Sequence, residues 1–155
     1  MNPKIRLMAV FSACLLGGIA GYAYFFSSKA IIRRAIASSK QSFEKRHMAG
    51  FMEIISKNFS DENGFSSADI QEGTGQAFSS FESFKITLEN MEITIIDKKT
   101  ARCTCLATVV ATTHEKEKYL VLGTTESGQR IDLDLLKESD GHWRVVRARG
   151  YARPS

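Results

Sequence analysis

The sequence predicts an α+β protein, in which an N-terminal transmembrane helix is followed by helices packed on a curved antiparallel sheet. Three observations predict it. Leu7–Phe26 is a run of 20 residues without a charge, long enough to cross a bilayer as a helix. Apolar residues then recur at helical spacing from Ile32 to Phe59. From Phe84 onward the spacing falls to alternation, broken by turn residues, which is the pattern of strands. At 155 residues the chain is one domain plus an appendage: a basic head and anchor over 1–28, then the α+β domain over 29–155.

Charge is unevenly placed. Residues 1–46 carry eight Lys/Arg against Glu44 alone, a net of +7, and 47–155 carry 13 against 16 Asp/Glu, a net of −3. The basic excess belongs to the membrane-proximal segment. A mildly acidic globular part is a poor nucleic-acid binder, because neutralising phosphates needs clustered Lys/Arg.

In the anchor, LMAVFSACLLGGIAGYAYFF, the aromatics Tyr22, Tyr24, Phe25 and Phe26 gather at the far end, where such rings prefer the membrane interface. Phe11-Ser12-Ala13-Cys14 resembles a lipoprotein processing box. Phe11 is an unusual first residue for one, and the apolar run continues past the cysteine, so the expectation is an uncleaved anchor. Ala9, Ala13, Gly17 and Gly21 recur every fourth residue, a small-residue stripe of the kind that lets membrane helices approach closely. Such residues are also simply common in membrane helices. Six Lys/Arg follow the run within about 20 residues and two precede it, which by positive-inside counting places the domain in the cytoplasm. The layout of short basic head, apolar run and then domain is instead that of an exported signal anchor. The expected location is the inner membrane, single-pass, with the domain on the extracytoplasmic side.

Lys29–Asn58 reads as helix, with Ile32, Ile36, Ser39 and Phe43 on one stripe that Phe51, Ile55 and Phe59 resume. Gly50 interrupts it and marks a bend between two helices. Ser60–Gly64 is a turn, and Ser66 or Ser67 can cap a helix over about Ala68–Ser80, with Ile70, Ala77, Phe78 and Phe81 on its apolar side. Phe84, Ile86 and Leu88 alternate, and Met91, Ile93 and Ile95 alternate in the opposite phase. A phase slip at Glu89-Asn90 is what a β-bulge produces. Asp97-Lys98-Lys99 turns the chain into the central strand, Thr100–Thr113. Its odd positions, Ala101, Cys103, Cys105, Ala107, Val109 and Ala111, are small or apolar and form the packed face. Thr113–Lys118 is a hairpin tip, Tyr119–Thr125 a further strand, Arg130–Lys137 another, and Ser139-Asp140-Gly141 turns into the last strand, Trp143–Tyr151. Arg147 and Arg149 fall where they pair with Asp132 and Asp134 across strands, a solvated ion-paired face.

Three cysteines make no disulfide framework. Cys103 and Cys105 point to one face about 7 Å apart at Cα and read as buried, unpaired thiols. A metal pair is the alternative, but neither they nor His47, His114 and His142 show ligand spacing. No metal and no cofactor is expected.

The order of helices, bulged meander and a final strand opened by Trp143 resembles the nuclear transport factor 2-like superfamily over about residues 29–151. The resemblance rests on FMEIISKNFSDENG, where a helix ends at Phe59 before an acidic turn, on IIDKKTARC, and on LDLLKESDGHWRVV. It implies a cone-shaped, cystatin-like domain in which helices close one side of a curved sheet around a pocket. Many bacterial members look like this one, with a basic tip, one membrane helix and an exported domain. Isomerase-like members use a pocket carboxylate with a tyrosine or protonated acid. That set does not transfer here, because the helices facing the sheet offer Phe51, Phe59, Phe78 and Phe81 and no tyrosine. His47 is the pocket-side acid–base candidate, against its reading as a helix-surface residue. Gly73-Thr74-Gly75 follows no strand and is no phosphate loop.

The expected function is therefore a membrane-tethered, non-catalytic binding or assembly module with a pocket or core of Phe51, Phe59, Phe78, Phe81 and Trp143. It would bind the bilayer through Leu7–Phe26, with a homo-oligomer or an envelope protein as further partner. The alternatives are a scaffold subunit of a cell-envelope or secretion assembly, and an isomerase- or cyclase-like enzyme acting on a small apolar substrate.

Overall fold

The computed structural model describes residues 27–150. The apolar run Leu7–Phe26, its small-residue stripe, Cys14 and Tyr151 lie outside them. Among the described residues no helix is long and apolar enough to cross a membrane.

Among the described residues three helices precede five strands: α1 (Ser28–Glu44), α2 (Met48–Met52), α3 (Ser67–Ser80), β1 (Ser83–Ile95), β2 (Thr100–Thr112), β3 (Lys118–Leu122), β4 (Gln129–Lys137) and β5 (Trp143–Arg149). The strands form one antiparallel sheet in the order β1-β2-β4-β5, with β3 also on β2. β2 is thus the spine, and its alternation explains why. Ala101, Cys103, Cys105, Ala107 and Ala111 are all buried, so the small-residue face accepts bulky groups from the helices while Arg102, Thr104 and Thr108 stay outside the core.

The expected bulge is present. The β1–β2 register shifts between Glu89 and Glu92, and Asn90 takes a left-handed backbone at φ 51°. One extra residue there returns Ile93 to the buried face that Leu88 shares.

The helical region differs from its expected form in two respects: α2 ends at Met52, with residues 53–58 in turns and a bridge at Ile55 where helix was expected, and the break between the helices is not at Gly50. The break falls at Lys45–His47, with Arg46 at φ 58°, and Gly50 lies inside α2. A side chain at Gly50 would stand 2.5 Å from Ser42 Oγ and 2.6 Å from His47 Nδ1. The glycine serves close packing of α2 on α1, with Ser39 Oγ donating to the Phe51 carbonyl at 3.2 Å to hold the pair together. Arg46 also donates to the Phe78 carbonyl, tying the break to α3. α3 starts in a capping box, in which Ser66 Oγ accepts from Asp69 N and the Asp69 carboxylate accepts from Ser66 N.

Three buried clusters organise the interior among the described residues, the smallest being Cys105, Ala107 and Ile131. Ile32 and Ile36 of α1 meet Ile54, Phe59, Cys103, Leu135, Trp143 and Val145. Phe78 of α3 meets Phe84 and Ala111 around Phe43, whose ring lies 4.9 to 5.1 Å from Phe84, Phe51 and Phe78, edge-on to each.

Candidate functional site

A cleft of about 1240 Å³ lies at one end of the sheet. Backbone register builds it. Thr100 pairs with Leu136, and Lys137 N donates to the Lys99 carbonyl at 2.7 Å, so the β1–β2 turn and the end of β4 stand side by side. On the opposite wall, Ile55 bridges in parallel to Val145, and Val145 N donates to the Ile54 carbonyl at 2.7 Å. Lys57 and Asn58 follow that bridge, while Ser67 and Gln71 come from the first turns of α3.

Charge dominates the lining. Lys57, Lys98, Lys99, Lys137 and Arg144 face Glu53, Glu138 and Asp140. Arg144 is fully engaged: it donates to Glu138 Oε2 at 2.6 Å, to both Asp140 oxygens at 2.9 and 2.8 Å, and through Nε to the Glu53 carbonyl at 3.2 Å. The hydrogen bond from Arg144, backed by that from the His142 N–H, holds the Asp140 carboxyl well below the usual carboxylate range. Asp140 in turn raises Arg144. Beneath them Ser56, fully buried, donates to Glu138 Oε1 at 2.6 Å and accepts from Asn58 N at 3.1 Å. This network welds the segment after α2 to the β4–β5 turn and forms a rigid floor.

The four lysines are different. They are exposed, and none is held in a salt bridge among the described residues. Lys99 acts on Asp97 through space, but that carboxylate is occupied by the Lys99 and Thr100 backbone N–H groups at 2.8 Å.

The five expected aromatics fall elsewhere, and none lines the cleft. Phe59 and Trp143 belong to the first buried cluster, and Phe78 and Phe81 to the second. Phe51 stacks edge-on against Phe43. The indole N–H of Trp143 has no hydrogen-bond partner among the described residues. Cys103 and Cys105 are buried and free, and the Cys103 thiol is pushed up by its hydrogen bond with Cys105 and by burial. His47 stands at the N-cap position of α2, exposed and without a side-chain capping hydrogen bond. Among the described residues no group of three His, Cys, Asp or Glu is placed to hold a metal ion.

Outside the cleft, the expected ion-paired face takes a specific form. Asp134 receives Arg149 at 2.9 Å and Arg102 at 2.9 Å, while Thr104 donates to Asp132 at 2.8 Å. Arg147 lies opposite Asp134 in register, but the carboxylate is taken by the other two arginines. Sequence reasoning missed Arg144. The available signal was its place three residues after Gly141, across the hairpin from Glu138 and Asp140.

The fold is that of nuclear transport factor 2-like proteins, with helices on a five-stranded antiparallel sheet. A Salmonella enterica protein of that superfamily superposes with a TM-score of 0.63 at 16% identity, over 80% of this chain and 89% of its own. A Kribbella flavida protein gives 0.67 at 11% identity, over 82% and 92%. A candidate scytalone dehydratase from Novosphingobium aromaticivorans gives 0.65 at 10% identity, over 81% and 88%. By sequence, no family model and no curated protein matches the chain.

Proposed function

We propose that this chain is a membrane-tethered, non-catalytic binding or assembly module, anchored by Leu7–Phe26 with its domain outside the cytoplasm, and that the charged cleft is its recognition face. The observation that carries the reading is the division of charge in the cleft. Glu138 and Asp140 are bound to Arg144, and that bond holds the Asp140 carboxyl well below the usual carboxylate range, which leaves it unsuited to proton transfer near neutral pH. Lys57, Lys98, Lys99 and Lys137 are left to face a partner. The aromatic rings support the reading from the interior, where they pack the helices onto the sheet that presents the cleft. A scaffold role in an envelope assembly is favoured by a separate observation. The outer edge of β3 pairs with no strand among the described residues, and Tyr119, Leu120 and Val121 there are exposed, the arrangement that accepts an added strand.

Amine labelling of the full-length protein tests the main reading. Membranes should retain the chain through alkaline carbonate and high salt. Within them Lys98, Lys99 and Lys137 should label several-fold more slowly than in purified protein, while Lys85 labels equally in both. Release by carbonate would end the tether, and equal labelling of all four lysines would end the cleft as a binding face.

A further inference from the structure

We infer that the cleft takes a phosphate-bearing ligand, a deduction that rests on its being the recognition face. The register of the sheet sets Lys99 beside Lys137 through the backbone hydrogen bond between them, with Lys98 adjacent and Lys57 on the facing wall. Like charges on neighbouring strands oppose one another. Nothing among the described residues holds these four in a salt bridge, and Arg144 occupies the carboxylates of the β4–β5 turn. With Glu53, Glu138 and Asp140 set against the five basic side chains, the lining keeps a net charge of +2, within a concave wall where it acts more strongly than on an open surface. α3 opens onto the same space at Ser67, and the positive end of its dipole adds to the field, offset in part by Asp69 in its first turn.

The type of donor decides the type of anion. A planar carboxylate is best matched by the two-pronged edge of a guanidinium. The cleft's one arginine has both its edge nitrogens and its Nε committed to Glu138, Asp140 and the Glu53 carbonyl. What remains is a set of ammonium point charges approaching from different walls, which suits a tetrahedral anion with acceptor oxygens in several directions. Ser67, Gln71, Asn58 and Ser139 supply neutral polar contacts around it. The same phosphate chemistry arrives either on a soluble molecule or on a lipid headgroup.

The test uses full-length protein in a non-ionic detergent. Inorganic tripolyphosphate is titrated by calorimetry at low salt, and the same micelles are prepared with and without phosphatidylglycerol. Variants are Lys98→Gln/Lys99→Gln/Lys137→Gln, with Lys85→Gln as control. Circular dichroism should show both folded as the parent, since all four side chains are exposed. The expected result is saturable binding of tripolyphosphate or of phosphatidylglycerol, weakened at least tenfold in the triple variant, unchanged in the control and weakened by salt. Binding of tripolyphosphate that phosphatidylglycerol does not displace assigns a soluble phosphate. Displacement, or binding of the lipid alone, assigns a headgroup. Citrate binding as tightly as either phosphate probe would overturn the phosphate assignment while leaving the cleft as a binding face. Absence of both interactions, or their survival in the triple variant, would overturn it as well, and the lysine labelling above separates that failure from failure of the cleft itself.

Discussion

Trp143 opens β5 with only 4% of its surface exposed, among Ile32, Phe59, Leu135 and Val145. Its size is accommodated because Ala101 and Cys103 leave the neighbouring part of the buried face low. The indole N–H has no hydrogen-bond partner among the described residues, so the residue stabilises through buried area and ring contacts. Removing the ring leaves a cavity the sheet cannot close. Trp143→Ala should cost about 3–5 kcal/mol, a large share of the roughly 5–15 kcal/mol that holds a single domain together. Trp143→Phe keeps a ring and sacrifices no hydrogen bond to another described residue, so it should lose less than half as much. Thermal melts of full-length protein in mild detergent, with emission spectra of the parent, check both. Blue-shifted native emission and the order parent, Phe, Ala in stability are expected. Solvent-like emission with an unchanged Ala variant would place Trp143 at the surface.

At the scale of elements, α2 shows how packing overrides propensity. Alanine at position 50 improves helix propensity by about 1 kcal/mol, but its methyl would meet Ser42 Oγ at 2.5 Å, His47 Nδ1 at 2.6 Å and Ser42 Cβ at 3.1 Å. The hydroxyl and the imidazole can swing aside, whereas Ser42 Cβ is fixed to the α1 backbone. Overpacking of this kind costs about 1–3 kcal/mol, so Gly50→Ala should be destabilising by about 1 kcal/mol net, seen as a lower denaturation midpoint. A raised midpoint would show that Gly50 is merely a poor helix residue. The same position shows where sequence reading stops. A glycine in a helical pattern signals a bend, yet the chain turns at Arg46, a residue with no such signal, and uses the glycine for contact. β2 was legible because period two survives whatever surrounds it, and so was the bulge at Asn90, since a one-residue slip swaps faces. The cleft was not legible. Lys57, the adjacent pair Lys98-Lys99, and Lys137 are distant from one another in sequence and meet only through β2–β4 register and the Ile55–Val145 bridge. The partition of rings between two clusters was hidden for the same reason: apolar spacing says that Phe43, Phe51 and Phe78 face inward, not that Phe43 gathers the others.

For the whole molecule, the distribution of ionised carboxylates sets a pH dependence. Asp132 is held below its ordinary value chiefly by the hydrogen bond from Thr104. At Asp134 burial pushes the carboxyl up, but hydrogen bonds and charge from Arg102 and Arg149 outweigh it and leave it lowered. Asp69, Glu82, Asp97 and Asp140 are lowered as well, by Ser66, Lys116, the turn backbone and Arg144 respectively. These groups join β4 to its neighbours, the β4–β5 turn to the cleft floor, and α3 to its cap, so their protonation loosens several junctions together. A carboxyl whose folded pKa lies below its unfolded one stabilises the fold above the unfolded value, near 4, and loses that contribution as pH falls through the folded value. Stability should therefore be nearly level from about pH 5 to 8 and decline steeply below about pH 4. Most of these side chains are solvated, so each contributes little and the decline is collective. Denaturant midpoints measured across that range on full-length protein give the profile, and Asp134→Asn/Asp140→Asn should lower the plateau while flattening the acid limb. A loss of stability centred near pH 6–7 in the parent, unchanged in the double variant, would contradict the carboxylate network as the source of the pH dependence.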